Sequence, residues 1–173
     1  MEGGRAGRQV TMTRYVMKQK WLSFGNDYSV LDESGAEAFF IDGRAISFGD
    51  QLSVQRPRGN EVAYISQKVF SWGPTYEITR EGRVAAVVKK KLFTFFRCKF
   101  EVDVPGPDDL TAEGDFLEFE YTFSRGGRAV AQVSKRFFSW TDTYGIQVPA
   151  GEDDVVIVAS AVVIDLCCHD DRS

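Results

Sequence analysis

Two hydrophobic periods divide this chain. Up to about residue 150, apolar and polar positions alternate in short blocks, as in Tyr28-Ser29-Val30-Leu31 and Tyr76-Glu77-Ile78-Thr79. Period-two alternation predicts half-buried strands, whose side chains point to opposite faces in turn. Further strand-sized blocks are AEAFFID, DQLSVQ, RVAAVVKKKLFTFF, FLEFEYTFS and RAVAQVSKRFF. Between the strands lie residues with turn chemistry: Gly25-Asn26-Asp27, Asp32 to Gly35, Asp42-Gly43, Pro57 to Asn60, Gly73-Pro74, Arg80 to Gly82, Pro105 to Asp109, Ser124 to Gly127 and Thr141-Asp142. Many short strands with evenly spaced turns predict an all-β sandwich or barrel.

The last stretch, DDVVIVASAVVIDLCCHDD from Asp153 to Asp171, breaks that pattern. Val155, Val156, Ile157, Val158, Val162, Val163, Ile164 and Leu166 leave no polar face at a helical period. Ala159, Ser160 and Ala161 interrupt the β-branched run and favour a helix over a strand. A helix that is hydrophobic all round is buried all round. From Asp153 to Cys168 it would be about 24 Å long at about 1.5 Å per residue, enough to thread a small barrel. A membrane span needs about 20 apolar residues, so a transmembrane anchor is not expected. Asp153 or Asp154 can cap the first turn, and both suit the positive end of the helix dipole. Asp165 is the one charge within the run, and is expected at the helix exit, toward solvent or an arginine. The expected architecture is therefore a closed sheet filled by one helix.

An internal repeat supports that architecture. KWLSFGNDYSVLDESG from Lys20, KVFSWGPTYEITREG from Lys68 and RFFSWTDTYGIQVPAG from Arg136 share one phrase, with a blurred copy, KLFTFFRCKFEV, from Lys91. The phrase is a basic residue, two apolar residues, Ser or Thr, an aromatic, a short turn, then an aromatic and a β-branched residue. EVAYISQ from Glu61 and AVAQVSK from Ala129 extend two copies backward. Each copy reads as strand, turn and strand, and repeats fix architecture before any other feature. No linker divides the chain: residues 1–12 are expected as a disordered Gly- and Arg-rich tail, 13–168 as one domain and 169–173 as a short tail.

AYISQKVFSWGPTYEI, the hairpin repeats and the terminal VVIVASAVVID together resemble the LURP-one-related family. That family belongs to the tubby C-terminal-like superfamily, together with the phospholipid scramblases. The resemblance covers about Tyr15 to Asp165. It implies a closed antiparallel β-barrel of about twelve strands around a central hydrophobic C-terminal helix. It implies little about activity, although tubby domains bind phosphoinositides through basic residues on the barrel wall and act as membrane tethers. The chain lacks the acidic calcium loop and the clear span that scramblase chemistry would ask for.

Composition adds limits rather than a function. The 173 residues carry a net charge of −4, which gives no global attraction to nucleic acid. Three cysteines, two of them adjacent, form no disulfide framework and suggest a reduced, cytoplasmic protein, peripheral at a membrane where lipid is the ligand. No secretory signal is visible. The strongest basic cluster is Lys89, Lys90, Lys91, Arg97 and Lys99, which could receive an anionic phospholipid headgroup. The alternative is that these residues form a solvated strand edge protected by lysine. Lys20, Lys68 and Arg136 recur at one repeat position and are expected along one rim. Trp21, Trp72, Trp140, Tyr76 and Tyr144 recur likewise, which points to core or hairpin packing rather than base stacking.

Catalytic chemistry is thin. Cys167, Cys168, His169 and Asp170 lack the second, spaced pair of a structural zinc site, and no metal or cofactor is expected. His169 is the only histidine, so no nucleophile-histidine system is expected. Asp108-Asp109 reads as a loop, Asp153-Asp154 as a cap, and Gly126-Gly127 as a hairpin turn rather than a phosphate loop. The sequence thus predicts a non-enzymatic module that binds anionic phospholipid or a protein partner. Its rivals are a purely structural or regulatory interaction domain and, more remotely, an enzyme acting on a small phosphorylated molecule.

Overall fold

The computed structural model describes residues 11–19, 27–46, 49–94, 97–137 and 143–169, with the backbone alone at 19, 44–46, 92–94 and 97. Twelve antiparallel strands form a closed barrel in which every strand pairs with its sequence neighbours and β1 pairs with β12. The strands are β1 (Met12–Gln19), β2 (Tyr28–Leu31), β3 (Glu37–Ile46), β4 (Gly49–Arg56), β5 (Asn60–Gln67), β6 (Thr75–Arg80), β7 (Arg83–Thr94), β8 (Arg97–Asp103), β9 (Leu110–Asp115), β10 (Glu120–Arg125), β11 (Arg128–Ser134) and β12 (Thr143–Pro149). One helix, α1 (Asp154–His169), follows. It starts and ends one residue later than the sequence suggests, so His169 belongs to the helix and not to a tail. β1 likewise takes in Met12, the last residue of the expected N-terminal tail.

The alternation places one residue in two inside. Ile41, Val54, Ala63, Ile65, Ile78, Val88, Val102, Phe123, Val133 and Ile146 are fully buried, and many sit directly across from one another, as in Leu52 with Ile65 and Ile65 with Ile78. Small inward residues (Ala63, Ala86, Ala112, Ala131) leave room at the centre. Every residue of α1 from Val155 to Leu166 is buried in that space. Burying a side chain of the Val, Leu or Ile class is worth about 1.5–3 kcal/mol, so the helix and barrel wall hold one another in place.

Because each hairpin joins adjacent strands, successive connections fall alternately at two ends of the barrel. The turn end includes the two-residue links Glu81-Gly82 between β6 and β7 and Gly126-Gly127 between β10 and β11, all four residues with positive φ. Such mirror-image turns match the twist of the strands they join. The loop end carries the connections β1–β2, β3–β4, β5–β6, β7–β8, β9–β10 and β11–β12, among them the three longest links between strands (β1–β2, β5–β6 and β11–β12). One expected turn, Asp42-Gly43, is not a turn: both residues lie within β3, and Gly43 pairs with Leu52 of β4. Inward Phe39 and Ile41 carry the strand through, because continued pairing with β4 outweighs local turn preference.

α1 runs from the turn end to the loop end and is fastened at its start. Asp153 is the N-cap: its Oδ1 accepts the Val156 N–H at 3.2 Å. Its other oxygen meets Arg80 Nη1 at 2.7 Å, Arg125 Nη1 meets Glu152 Oε2 at 2.6 Å, and the Tyr15 hydroxyl donates to Asp154 Oδ2 at 2.7 Å. Burial and that carboxylate together raise the Tyr15 pKa well above the usual tyrosine range. Among the described residues the Ser160 hydroxyl, wholly buried in α1, finds no partner. Replacing it by alanine removes an unsatisfied polar group, so Ser160→Ala should raise stability by about 1 kcal/mol. Thermal or denaturant unfolding checks this, and a drop in stability would show that the hydroxyl is satisfied after all.

Candidate functional site

The predicted cluster lies at the loop end, where β7 and β8 pair. Strand alternation splits its three consecutive lysines. Val88 and Phe100 point inward, so Lys90, paired with Phe100, does too, while Lys89, Lys91 and Lys99 face out. Lys90 Nζ reaches the mouth of the barrel and donates to the Cys167 carbonyl at 2.7 Å. A cation on the last carbonyls of a helix satisfies an orphan acceptor and the negative end of the dipole. The outward lysines meet acidic neighbours: Lys89 pairs with Asp103, Lys91 with Glu101 at 3.4 Å and Lys99 with Glu101 at 3.6 Å. The Asp103 carboxylate holds the Lys89 ammonium above the usual lysine range. Arg97 belongs to β8, and only its backbone is described. Both neighbours of β7 are paired, so these lysines do not protect an open edge.

The mouth beside Lys90 is closed by the β9–β10 connection. Gly114 has φ +147, and a Cβ there would stand 2.4 Å from the Glu120 carbonyl, so only glycine allows this close approach. The chain then turns in. Phe116 packs on Phe100 and Tyr121, and Phe119 lies between Tyr144 and His169, both ring centroids at 4.4 Å. The Tyr144 hydroxyl donates to Met17 Sδ at 2.6 Å, and burial drives the Tyr121 and Tyr144 pKa values far up.

Asp165 is not at a solvent exit. It is 4% exposed, and its Oδ1 lies 2.8 Å from His169 Nδ1 one turn on, while His169 Nε2 faces the Leu117 carbonyl at 3.4 Å. An imidazole with acceptors at both nitrogens satisfies both only as the cation. The Asp165 hydrogen bond accordingly raises the His169 pKa. Cys168 packs beside Cys98, and burial pushes its thiol up to about 12, away from nucleophilic character. None of the three cysteines is in a disulfide.

The β5–β6 connection projects the other way. Val69 is largely exposed and Phe70 and Trp72 are wholly so. This overturns the expectation that Trp72 packs in the core, although Tyr76 and Tyr144 are buried as expected. The repeat specifies the shape of the hairpin but not what its tip touches. Trp21, Trp140 and Lys20 lie outside the described residues. Lys68 and Arg136, the other two repeat cations, do share the loop end, where Lys68 pairs with Glu77 at 2.7 Å and Arg136 with Glu120 at 3.8 Å. The wider pattern is one that residue-by-residue reading missed. Every lysine among the described residues (Lys18, Lys68, Lys89, Lys90, Lys91, Lys99, Lys135) lies in the loop-end half of its strand or just beyond it. Seven of the ten described arginines (Arg14, Arg56, Arg58, Arg80, Arg83, Arg125 and Arg128) occupy the turn end, whereas Arg44, Arg97 and Arg136 lie with the lysines. Once the hairpins are numbered, alternation of the connections would have exposed this sorting.

A groove of about 710 Å³ on the outer wall is lined by Arg14, Val16, Lys18, Leu31, Asp32 and Phe137, among others. Asp32 is spent on its own turn, accepting from the Ser34 and Ala36 amides and the Ser34 hydroxyl, which holds its carboxyl low. Among the described residues no three His, Cys, Asp or Glu side chains gather as a metal site, and no helix is long and apolar enough to cross a membrane.

Comparison with known proteins decides the kinship. The LURP-one-related family model matches residues 13–165. The chain belongs to the LURP-one-related family. It is 32% identical over 161 residues to the uncharacterized protein YxjI of Bacillus subtilis (strain 168), covering 93% of this chain and 97% of that one. An X-ray structure of an Arabidopsis thaliana protein shares the fold, with a TM-score of 0.66 at 14% identity over 89% of this chain and 90% of that one. The twelve-stranded LURP-one-related barrel with its enclosed helix is therefore the architecture that the sequence predicts.

The Asp165–His169 pair generates a pH prediction. A raised histidine pKa stabilises the fold fully below the unfolded value, about 6.5, and that contribution is lost as pH rises through the folded pKa. His169→Gln should thus cost more at pH 5.5 than at pH 8.5, by on the order of 1 kcal/mol, as for a hydrogen bond to a charged group. Urea unfolding of both proteins at the two pH values measures the difference, and an equal loss at both would contradict the charged pair.

Proposed function

We propose that this barrel is a non-enzymatic binding module that attaches peripherally to anionic phospholipid surfaces through its loop end. The observation that carries this reading is the gathering of the described lysines at that end, opposite an arginine-fastened turn end. The packed interior supports it, because every residue of α1 from Val155 to Leu166 is buried inside the barrel. The tubby-like kinship supports it by type of ligand, not by matched residues.

The carboxylates beside Lys68, Lys89, Lys91 and Lys99 do not prevent such binding. Exposed ion pairs of this kind are worth about 0–1 kcal/mol. A lysine near an anionic membrane gains about 1 kcal/mol. Exchange of a carboxylate partner for a lipid phosphate is therefore nearly neutral per residue, and several lysines acting together decide the balance. The same mixed charges also suit a protein surface, which is the second reading.

Co-sedimentation with phosphatidylcholine vesicles, with and without phosphatidylserine, tests the proposal. The full chain should sediment with the anionic vesicles at low salt and release as salt screens the charges. Lys89→Gln with Lys91→Gln should weaken that binding about tenfold or more at low salt. Absence of binding to phosphatidylserine vesicles, or binding unchanged in the double variant, would rule out the lipid reading through this cluster.

A further inference from the structure

The β5–β6 loop is built to expose its apolar residues. It leaves β5 at Gln67 and returns at Thr75, closed by the Lys68 N–H to the Thr75 carbonyl at 2.8 Å. The Ser71 hydroxyl stands inside the loop, within reach of the Lys68 carbonyl (2.9 Å) and the Gly73 carbonyl (2.8 Å). The Lys90 N–H donates to the Pro74 carbonyl at 3.0 Å and ties the loop to β7. Gly73 takes φ +89, which favours glycine. This polar pinning turns Phe70 and Trp72 away from the barrel, into solvent. A loop already held in shape loses little freedom on binding.

We infer that the Val69–Phe70–Ser71–Trp72 tip is a wedge that inserts into the apolar region of a phospholipid bilayer, with the barrel standing on its loop end. The inference rests on the lipid reading above and adds the element that enters the membrane and the orientation that follows. Size and chemistry choose the occupant. Phe and Trp each bury about 150–250 Å², so the tip offers roughly 300–500 Å², well short of the ~800 Å² per partner of a stable protein interface. A bilayer needs no complementary pocket: Trp and Phe beside cationic residues are the composition of interfacial anchors. Lys68 at the foot of the loop and the outward Lys89, Lys91 and Lys99 on the neighbouring wall stand where the headgroups would lie. In this pose the C-terminus of α1 faces the membrane and the short turns face away from it.

The full chain, Phe70→Ser with Trp72→Ser, and Trp72→Phe would be compared on vesicles of phosphatidylcholine and phosphatidylserine. Both side chains are outside the core, so the double variant should melt as the wild type does. At high salt, where the lysine contribution is screened, its binding should fall about tenfold or more. Trp72→Phe should bind like the wild type but lose the fraction of tryptophan emission that shifts to the blue and is quenched by lipid brominated on its acyl chains. If the wild type ignores vesicles altogether, the lipid reading fails and the wedge with it. Vesicle binding that the double serine variant retains in full, or a Trp72 signal that stays water-like on bound vesicles, overturns the wedge alone. Self-association abolished by the double variant, with vesicles leaving Trp72 unchanged, would assign the tip to a second copy and likewise overturn it.

Discussion

A helix without a polar face has to be surrounded on all sides. Val155 to Leu166 supply that constraint, and the twelve strands answer it by closing. An open sheet could cover only one side of α1 and would leave two strand edges unpaired. Closure covers all sides and removes both edges at once. The wall must also taper to the helix, which explains alanines facing inward at Ala63, Ala86, Ala112 and Ala131, where larger β-formers would otherwise be expected. The fold is thus a single mutual burial, and neither part has another way to cover its apolar surface.

Hydrophobic burial alone would leave the helix free to slide along the barrel axis. Polar contacts at each end fix its position. At the turn end the Asp153 cap, the Arg80 and Arg125 ion pairs and the Tyr15 hydroxyl hold the first turn. At the loop end Lys90 takes the Cys167 carbonyl, and His169 bridges Asp165 and Leu117 under Phe119. Individually these are modest interactions. Their value is geometric, because a shift of one helical turn, about 5.4 Å, would break all of them together.

The architecture was legible because it follows from periods: two for the strands, no polar face for the helix. What could not be read depended on which neighbours tertiary pairing supplies. Asp42-Gly43 has turn chemistry, yet β4 pairs straight across it. Asp165 looked like an exit because it is charged, yet His169, four residues on, gives it a buried partner. The run Lys89-Lys90-Lys91 reads as one patch in sequence, whereas strand alternation sends Lys90 to the helix end and its neighbours to the outer wall. Trp72 follows the same logic in reverse: recurrence at a repeat position argues for a structural role, and the role turned out to be that of its loop, whose polar interior is Ser71, not the ring itself.

These constraints also dictate where variation for binding can be placed. The interior belongs to α1, the closed sheet has no edge to offer a partner strand, and the turn end carries the ion pairs that hold the helix start. The longer connections of the loop end are the part of the molecule that can change without disturbing closure, the usual division between a rigid scaffold and its working loops. Every described lysine and the exposed Phe70 and Trp72 lie at the loop end, while most of the described arginines, the better residue for fixed bidentate pairing, lie at the end that holds the helix. A flexible point charge suits a surface whose anions are mobile, and a fork suits a partner whose position is set. The sorting of the two cations between the ends therefore matches a barrel anchored internally at one end and engaged externally at the other.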